Sequence, residues 1–272
     1  MSAVAVVPPR TPGAAQRLRA AVGSEWIKLV SVRGTWLSLL TATALMLLDC
    51  AVVCASINGR WNTPGATAHT GFDPTYRSLQ GILLTQILCG ITGILVMGSE
   101  YSSGLIRTTL AATPQRGLLL AAKAVPLAAL TWVAGTAMSF VSFLLGQALL
   151  SGPAPHASLG DPGVLRAVLG AGLYLVLATV LGLALAVVLR STAAAIGTLF
   201  AVLLVLPILV GGLPHQLALD VDRVLPGGAG ESMWHVVGTP GMLSPAAGAL
   251  VMAAYAALAL GAAAWLLRRR DA

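Results

Sequence analysis

Six long apolar runs, separated by short polar segments, dominate the pattern along this chain. A helix needs roughly 17–25 apolar residues to cross a bilayer, and each run meets or exceeds that length. The runs cover residues 36–57, 79–97, 118–150, 167–189, 193–211 and 246–267. The pattern predicts an all-α, polytopic membrane bundle of six transmembrane helices. Only residues 190–192 separate the fourth and fifth runs, which predicts antiparallel neighbours, and Pro207 is expected to kink the fifth.

A shorter segment before the first run carries an amphipathic pattern. Leu18, Val22, Trp26 and Leu29 recur at helical spacing, while Arg17, Arg19, Glu25 and Lys28 occupy much of the remaining surface. A basic helix with an apolar stripe is typical of the membrane interface. We therefore expect an N-terminal interfacial amphipathic helix that includes Trp26 and Lys28. The alternative is an ordinary helix packed on the end of the bundle.

Composition and charge agree with a membrane protein and give it an orientation. Apolar residues make up 57% of the chain and charged residues 9%, against about 25% charged in soluble domains. With the N-terminus inside, 12 of the 16 Lys and Arg residues fall in inner segments and four in outer segments. The positive-inside rule then predicts that both termini lie in the cytoplasm. We expect a multi-pass protein of the plasma membrane. The +7 net charge reflects topology, and no nucleic-acid partner is expected.

The predicted domain organisation is simple. Residues 1–13 are expected to form a disordered cytoplasmic tail, because their apolar piece is short and ends in Pro8-Pro9. Residues 14–272 form a single transmembrane domain. In the fourth span, Ala178, Gly182 and Ala186 recur every four residues, which favours a close helix contact within the chain or with a second copy.

Few residues in the spans are candidates for chemistry. Asp49 is the only acidic residue within a predicted span, and intramembrane acids are costly and often functional. Asp49 is therefore a candidate intramembrane polar site; the alternative is a protonated or hydroxyl-bonded carboxyl group. Cys50 and Cys54 share a helix face but make a poor metal site without histidine. The chain contains no phosphate-binding loop, nucleophile elbow or metalloprotease motif. We predict no enzyme activity, no catalytic residues, no metal and no cofactor.

The segment after the second span is the most informative polar stretch, reading SEYSSGLIRTTLAATPQRG at 99–117. Glu100 directly follows the predicted span, and Gly104 permits a tight turn or unusual dihedral angles. Residues 105–110 could form a short helix parallel to the membrane. This element, with Glu100 and Arg107, is suited to dock on a cytoplasmic partner or to serve as a simple connector.

Three stretches resemble the permeases of ABC-2 type transporters, in particular the short six-span permeases of high-GC Gram-positive bacteria. They are SEWIKLVSVRGTW at 24–36, the loop at 99–117 and the ending LLRRRDA at 266–272. The resemblance implies an interfacial connecting helix at about 14–34 and a coupling helix that contacts a separate ATPase. Glu100, Gly104, Ile106 and Arg107 match the family pattern in that loop, whereas Leu105 stands where threonine is usual.

The function implied by the resemblance is that of a membrane-spanning permease subunit. ATP would be hydrolysed on a separate cytoplasmic ATPase subunit, and the permease would pair with a second copy or a second permease. The cargo would be a drug, a lipid or a peptide-like molecule that leaves the cell. Two alternatives remain: an ion-coupled secondary carrier, and a non-transporting membrane anchor or regulatory subunit.

Overall fold

The computed structural model describes residues 13–63, 71–106, 108–109 and 115–269. Every regular element in this part of the chain is a helix, as the sequence predicts. Residues 1–12 of the predicted tail lie outside the described residues, and Gly13 is the N-cap of the first helix.

Among the described residues, six helices are long and apolar enough to span a membrane, in agreement with the six predicted runs. In chain order they are α2 (Arg33–Arg60), α4 (Ile82–Ser102), α5 (Arg116–Leu150), α6 (Val164–Leu189), α7 (Thr192–Val210) and α10 (Pro245–Arg269). Four shorter or amphipathic α-helices are also described: α1 (Ala14–Ser31), α3 (Pro74–Leu79), α8 (His215–Asp222) and α9 (Pro226–Glu231). Residues Ser232–Trp234 form a short 3-10 helix after α9. At the majority of their ends, the spanning helices continue one to five residues beyond the predicted apolar runs, because the end turns of these helices are polar.

The predicted second span begins too early. Leu79 ends α3, and α4 begins only at Ile82 after a break at Gln80 and Gly81. A Cβ atom on Gly81 would lie 2.7 Å from the backbone oxygen of Met46, so this break is also a close approach to α2. Hydropathy does not detect such a break, because residues on both sides of it are apolar.

Helices α4 and α6 form the centre of the bundle and pack with their backbones almost in contact. A Cβ atom on Gly182 would overlap the backbone of Gly90, and one on Gly93 would overlap the carbonyl of Thr179. Ala178 and Ala186 are fully buried beside this contact. The small-residue stripe of α6 therefore serves an intramolecular contact, which resolves one of the two alternatives left by the sequence.

Helix α7 is irregular near the proline that was expected to kink it. Residues Ala201–Val205 form a π-helical turn, and α-helix resumes at Leu206–Val210 with Pro207 in its first turn. Proline has no N–H group to continue the hydrogen-bond ladder, and a π turn is one way in which a helix accommodates that loss. By contrast, α5 stays helical through Pro126.

Helix α1 is joined to α2 through the single non-helical residue Val32. The indole Nε1 of Trp36 donates a hydrogen bond to the carbonyl of Val30 at 2.8 Å, so the break is bridged from α2 back to α1. Helix α1 packs mainly against α5. The start of α5 also meets the end of α10, where Arg116 donates to the carbonyl of Leu267. These contacts define one end of the bundle, called here the α1 end.

The opposite end of the bundle is built around α3 and the segment between α7 and α10. Asp73 caps α3 by accepting a hydrogen bond from the backbone N–H of Tyr76 at 3.0 Å. The other carboxylate oxygen of Asp73 accepts from the backbone N–H groups of Val236 and Val237 at 2.7 and 2.9 Å. One carboxylate thus joins two segments more than 160 residues apart in sequence.

Candidate functional site

Four charged side chains from three helices meet at the α1 end, and we call them the charged cluster: Glu25 and Lys28 of α1, Glu100 of α4 and Lys123 of α5. The ammonium of Lys123 lies 2.9 Å from Oε2 of Glu25 and 2.6 Å from Oε1 of Glu100. The ammonium of Lys28 lies 2.6 Å from Oε1 of Glu25 and 3.6 Å from Oε1 of Glu100. The cluster therefore ties α1 to the second and third spans.

The charged cluster is buried on the side of Lys123 and open on the side of Lys28. The side chain of Lys123 is 1% exposed, while that of Lys28 is 53% exposed. Glu25 and Glu100 are buried. A buried lysine is stable as a cation only when partners replace its hydration, and here two carboxylates do so.

The environment of α1 shifts two pKa values in the cluster. Burial alone would raise the pKa of Glu25, but hydrogen bonds and charge from Lys28 and Lys123 outweigh it and hold this pKa below the ordinary 4.5. Burial lowers the pKa of Lys28, but Glu25 and Glu100 outweigh it and raise this pKa above the ordinary 10.5. Both α1 side chains are therefore charged across the physiological range.

A cavity of about 640 Å³ opens beside the charged cluster, between α1, α2, α4 and the segment after α4. Its apolar walls include Leu29, Val32, Leu95, Val96 and Leu105, and its hydroxyl groups come from Thr35, Ser38, Thr92, Ser99, Thr108 and Thr109. All four cluster residues line it. Its volume falls in the roughly 300–1,000 Å³ range of small-molecule sites, and its lining combines an apolar wall with a charged end.

One atom in the cavity wall has an unused hydrogen-bonding capacity. Oε2 of Glu100 is buried and accepts no hydrogen bond from any described residue, although Oε1 of the same carboxylate contacts Lys123 at 2.6 Å. Leaving a buried carboxylate oxygen without a donor is unfavourable. This oxygen is enclosed by protein atoms and is not accessible from the cavity.

The structure places the residues of the predicted coupling loop in different environments. Glu100 lies in the last turns of α4, which runs to Ser102, and not in a loop. Gly104 adopts φ 73°, a conformation that favours glycine. Ile106 is helical and buried in the core, whereas its neighbour Leu105 is 55% exposed. Arg107 lies outside the described residues.

The helical part of the α1 prediction agrees with the structure, but its faces differ from those expected. Glu25 was assigned to the polar surface and is buried beside Lys123. Leu29 is buried, while Leu18 and Trp26 of the predicted apolar stripe are 37% and 41% exposed. The helix therefore packs on the bundle through Glu25 and Leu29, and its position at the membrane interface stays a prediction.

Asp49 lies in α2 with its side chain partly buried. Its Oδ2 atom is buried and accepts no hydrogen bond from any described residue. Neighbouring Cys50 packs against α5, where its thiol donates to the carbonyl of Ser142 at 3.2 Å. Cys50, Cys54 and Cys89 are free and buried, and the described residues contain no group of His, Cys, Asp and Glu suited to a metal ion.

Sequence reasoning missed Lys123 as a site residue. It was counted only as an inner-side topology charge, although it lies seven residues into α5, about 10 Å along the helix axis. A signal was present: Lys123 is the only charged residue in the long apolar run 118–150. A lone intramembrane charge calls for a partner of opposite sign, and Glu25 and Glu100 were the nearest candidates by topology.

A second polar cluster lies at the opposite end of the bundle. His235 stacks on Tyr76 with ring centroids 3.8 Å apart, and its Nε2 lies 3.3 Å from Oε1 of Glu231. Burial would raise the pKa of Glu231, but hydrogen bonds from His235 and Tyr76 lower it overall. Arg166 donates to the carbonyl of His235 at 2.6 Å. Nδ1 of His235 is buried without a hydrogen-bond partner among the described residues and lies 3.9 Å from Oδ2 of Asp73. The other contacts fix the segment before α10.

Comparison with known proteins adds no family to this picture. No protein-family model matches the chain, and no curated protein matches it.

Proposed function

We propose that this chain is the membrane-spanning permease subunit of an ABC-2 type transporter, with ATP hydrolysed on a separate cytoplasmic subunit. The observation that carries the proposal is the charged cluster. Glu25, Glu100 and Lys123 join α1, the end of α4 and the start of α5 at one end of a six-span bundle. The sequence resemblance described above supplies the class of protein.

A permease driven by a partner needs a rigid connection between the surface the partner touches and the spans that must move. Leu105 is exposed beside the charged cluster, and Ile106 anchors the same segment in the core. A partner that pushes on this segment would act on α1, α4 and α5 together, since their buried charges hold them to one another. Such packed elements switch between discrete arrangements.

In this proposal the α1 end faces the cytoplasm, as the distribution of Lys and Arg favours. The protein acts as a dimer with a second permease copy or a different permease, and it resides in the plasma membrane. ATP binding closes the two ATPase subunits, and the dimer changes from inward-open to outward-open. The cargo is amphipathic or apolar, such as a drug, a lipid or a peptide.

Co-purification tests the proposal. The tagged chain, extracted in mild detergent from its own cells, should bring down an ATPase with a phosphate-binding loop, and the eluate should hydrolyse ATP. Leu105→Asp should reduce the amount recovered, while Leu159→Asp, a partly exposed leucine in the loop at the opposite end, should not. Arg107→Ala extends the test to the residue implied by the resemblance. A clean preparation without ATPase, repeated under crosslinking, would refute the proposal.

An ion-coupled carrier is the second candidate, because Asp49 has a buried oxygen with no hydrogen-bond partner among the described residues. Purified chain in liposomes, without any ATPase, should then accumulate cargo in response to a proton gradient, and Asp49→Asn should abolish that uptake. An anchor or regulatory subunit predicts ATPase recovery without transport in either assay.

A further inference from the structure

We propose that the cavity beside the charged cluster holds a resident hydrocarbon tail of a membrane phospholipid, taken up sideways from the bilayer. The tail would lie along Leu29, Leu95 and Val96, and no contact in the cavity would select the head group. The proposal requires only that the chain is embedded in a bilayer. It depends neither on an ATPase partner nor on which end of the bundle faces the cytoplasm.

The cavity extends along a membrane-spanning helix to the depth of lipid tails. Its lining residues on α4 run from Thr92 to Glu100, a distance of about 12 Å along the helix axis. Helix α4 has 21 residues, so its length of about 31 Å is close to the thickness of a hydrocarbon core. Thr92 lies near the midpoint of this helix, and the deep end of the cavity is therefore near the middle of the bilayer.

Some wall residues of the cavity are also part of the outer surface of the bundle. Leu95 is 43% exposed, and Val32 at the junction of α1 and α2 is 53% exposed. Nearby on α2, the side chains of Leu37 and Leu40 are 67% and 64% exposed, as expected where a spanning helix faces lipid. A tail can therefore enter the cavity from the hydrocarbon region without crossing water.

The polar groups of the cavity are largely satisfied within the protein. The hydroxyl oxygens of Ser38 and Thr92 are 2.9 Å apart, and Thr92 also donates to a carbonyl of its own helix at 2.9 Å. Thr108 and Thr109 both donate to the carbonyl of Leu105, at 2.8 and 3.0 Å. The two glutamates and two lysines of the charged cluster pair with one another and sum to zero charge. The cavity therefore favours neither a cation nor an anion.

A hydrocarbon tail suits this lining better than water or an empty space. An empty cavity forfeits the dispersion contacts of its walls. A buried water needs about two to four polar partners, and the hydroxyl groups at the depth of Thr92 are already bonded to one another and to the backbone. Lipid tails are as apolar as leucine, so a tail fills the space without leaving a hydrogen bond unmade. Thr35 and Ser99 lie closer to the ends of their helices, where the ester groups of a phospholipid can accept from their hydroxyls.

Native mass spectrometry after extensive washing in detergent tests the proposal. A tail between α1, α2 and α4 contacts protein on several sides, whereas a lipid on the outer surface contacts it on one. We therefore expect about one phospholipid to remain bound per chain after the surface lipids have been removed. A chain that retains no lipid, or that retains an apolar molecule other than a phospholipid, would overturn the proposal.

A pair of matched substitutions locates the retained lipid. Val96→Phe fills the cavity without altering any charge, and it should lower the retained phospholipid roughly tenfold. Val133→Phe makes the same exchange on α5 at a side chain that is 68% exposed, and it should leave the retention unchanged. Equal retention in the two variants would place the lipid elsewhere and would overturn the proposal.

Crosslinking on the unaltered chain keeps the test decisive if Val96→Phe does not fold. Phosphatidylcholine that carries a photoreactive diazirine near the end of one tail is placed in nanodiscs with the chain, and the adducts are located by mass spectrometry. We expect adducts at the half-buried lining residues Ser38 or Val96. Adducts confined to exposed residues such as Leu37 and Leu40 would show surface lipid alone and would contradict a tail in the cavity.

Discussion

Replacing Lys123 with methionine removes the buried ammonium that contacts both Glu25 and Glu100, at 2.9 and 2.6 Å. Breaking a buried ion pair by removing one partner costs about 3–5 kcal/mol, because the other charge remains buried. Glu25 keeps Lys28 at 2.6 Å, whereas Glu100 is left with Lys28 at 3.6 Å. We therefore expect Lys123→Met to lower the free energy of unfolding by about 3 kcal/mol, at the lower end of that range.

This loss corresponds to an increase of about 140-fold in the unfolding equilibrium constant, at 1.4 kcal/mol per factor of ten. Reversible unfolding in mixed micelles, followed by tryptophan fluorescence, measures it. The triple variant with Glu25→Gln and Glu100→Gln added should recover most of the lost stability, because no unpaired charge then remains buried. Recovery distinguishes the electrostatic explanation from a simple packing defect.

A matched control is available at the protein surface. Arg223 pairs with Asp220 at 3.0 Å, and both side chains are about half exposed. Exposed pairs of this kind contribute about 0–1 kcal/mol, so Arg223→Met should have little effect. A loss below about 1 kcal/mol in Lys123→Met, or a triple variant no more stable than the single one, would refute the reasoning.

Three further predictions follow from other features. Gly182→Ala should lower the free energy of unfolding by about 1–3 kcal/mol, because the new Cβ would overlap the backbone of α4. Gly197 faces open space, so Gly197→Ala should be neutral or stabilise the protein by up to about 1 kcal/mol. Thermal unfolding compares the two variants, and equal effects would contradict the close contact between α4 and α6. Because the pKa of Glu25 is lowered in the folded protein, its carboxylate stabilises the fold above pH 4.5, and this stabilisation is lost as the pH falls through the folded-state pKa. Glu25→Gln should therefore flatten the acid side of a curve of unfolding free energy against pH. An unchanged acid side would exclude this contribution. Cysteine introduced at exposed Ser103 should resist membrane-impermeant maleimide in intact cells and react after permeabilisation, while cysteine at Ser158 should react directly; the reverse pattern would invert the proposed orientation.

The spans were predictable from the sequence because a bilayer imposes one dominant requirement on them. An apolar run of sufficient length is a helix in either orientation and in almost any packing arrangement. The error at Leu79 shows the limit of that argument. The break before Ile82 depends on how closely Gly81 approaches α2, and hydropathy carries no information on such contacts.

The charged cluster could not be predicted in the same way. Glu25 and Lys123 are 98 residues apart, and their contact depends on how α1 folds back onto α5. The amphipathic pattern of α1 placed Glu25 on the outside because a periodicity argument treats every charge as polar surface. A buried partner reverses that assignment, and only the tertiary structure identifies the partner.

The order of the cluster residues along the chain has a consequence for assembly in the membrane. Synthesis proceeds from the N-terminus, so both carboxylates are made before the lysine that joins them. Until then Glu25 has only Lys28, its neighbour on α1, and Glu100 stands at the end of a newly inserted helix. Docking of α1 is therefore completed only when the third span arrives, so during synthesis α1 waits for two further spans before its buried charges are paired.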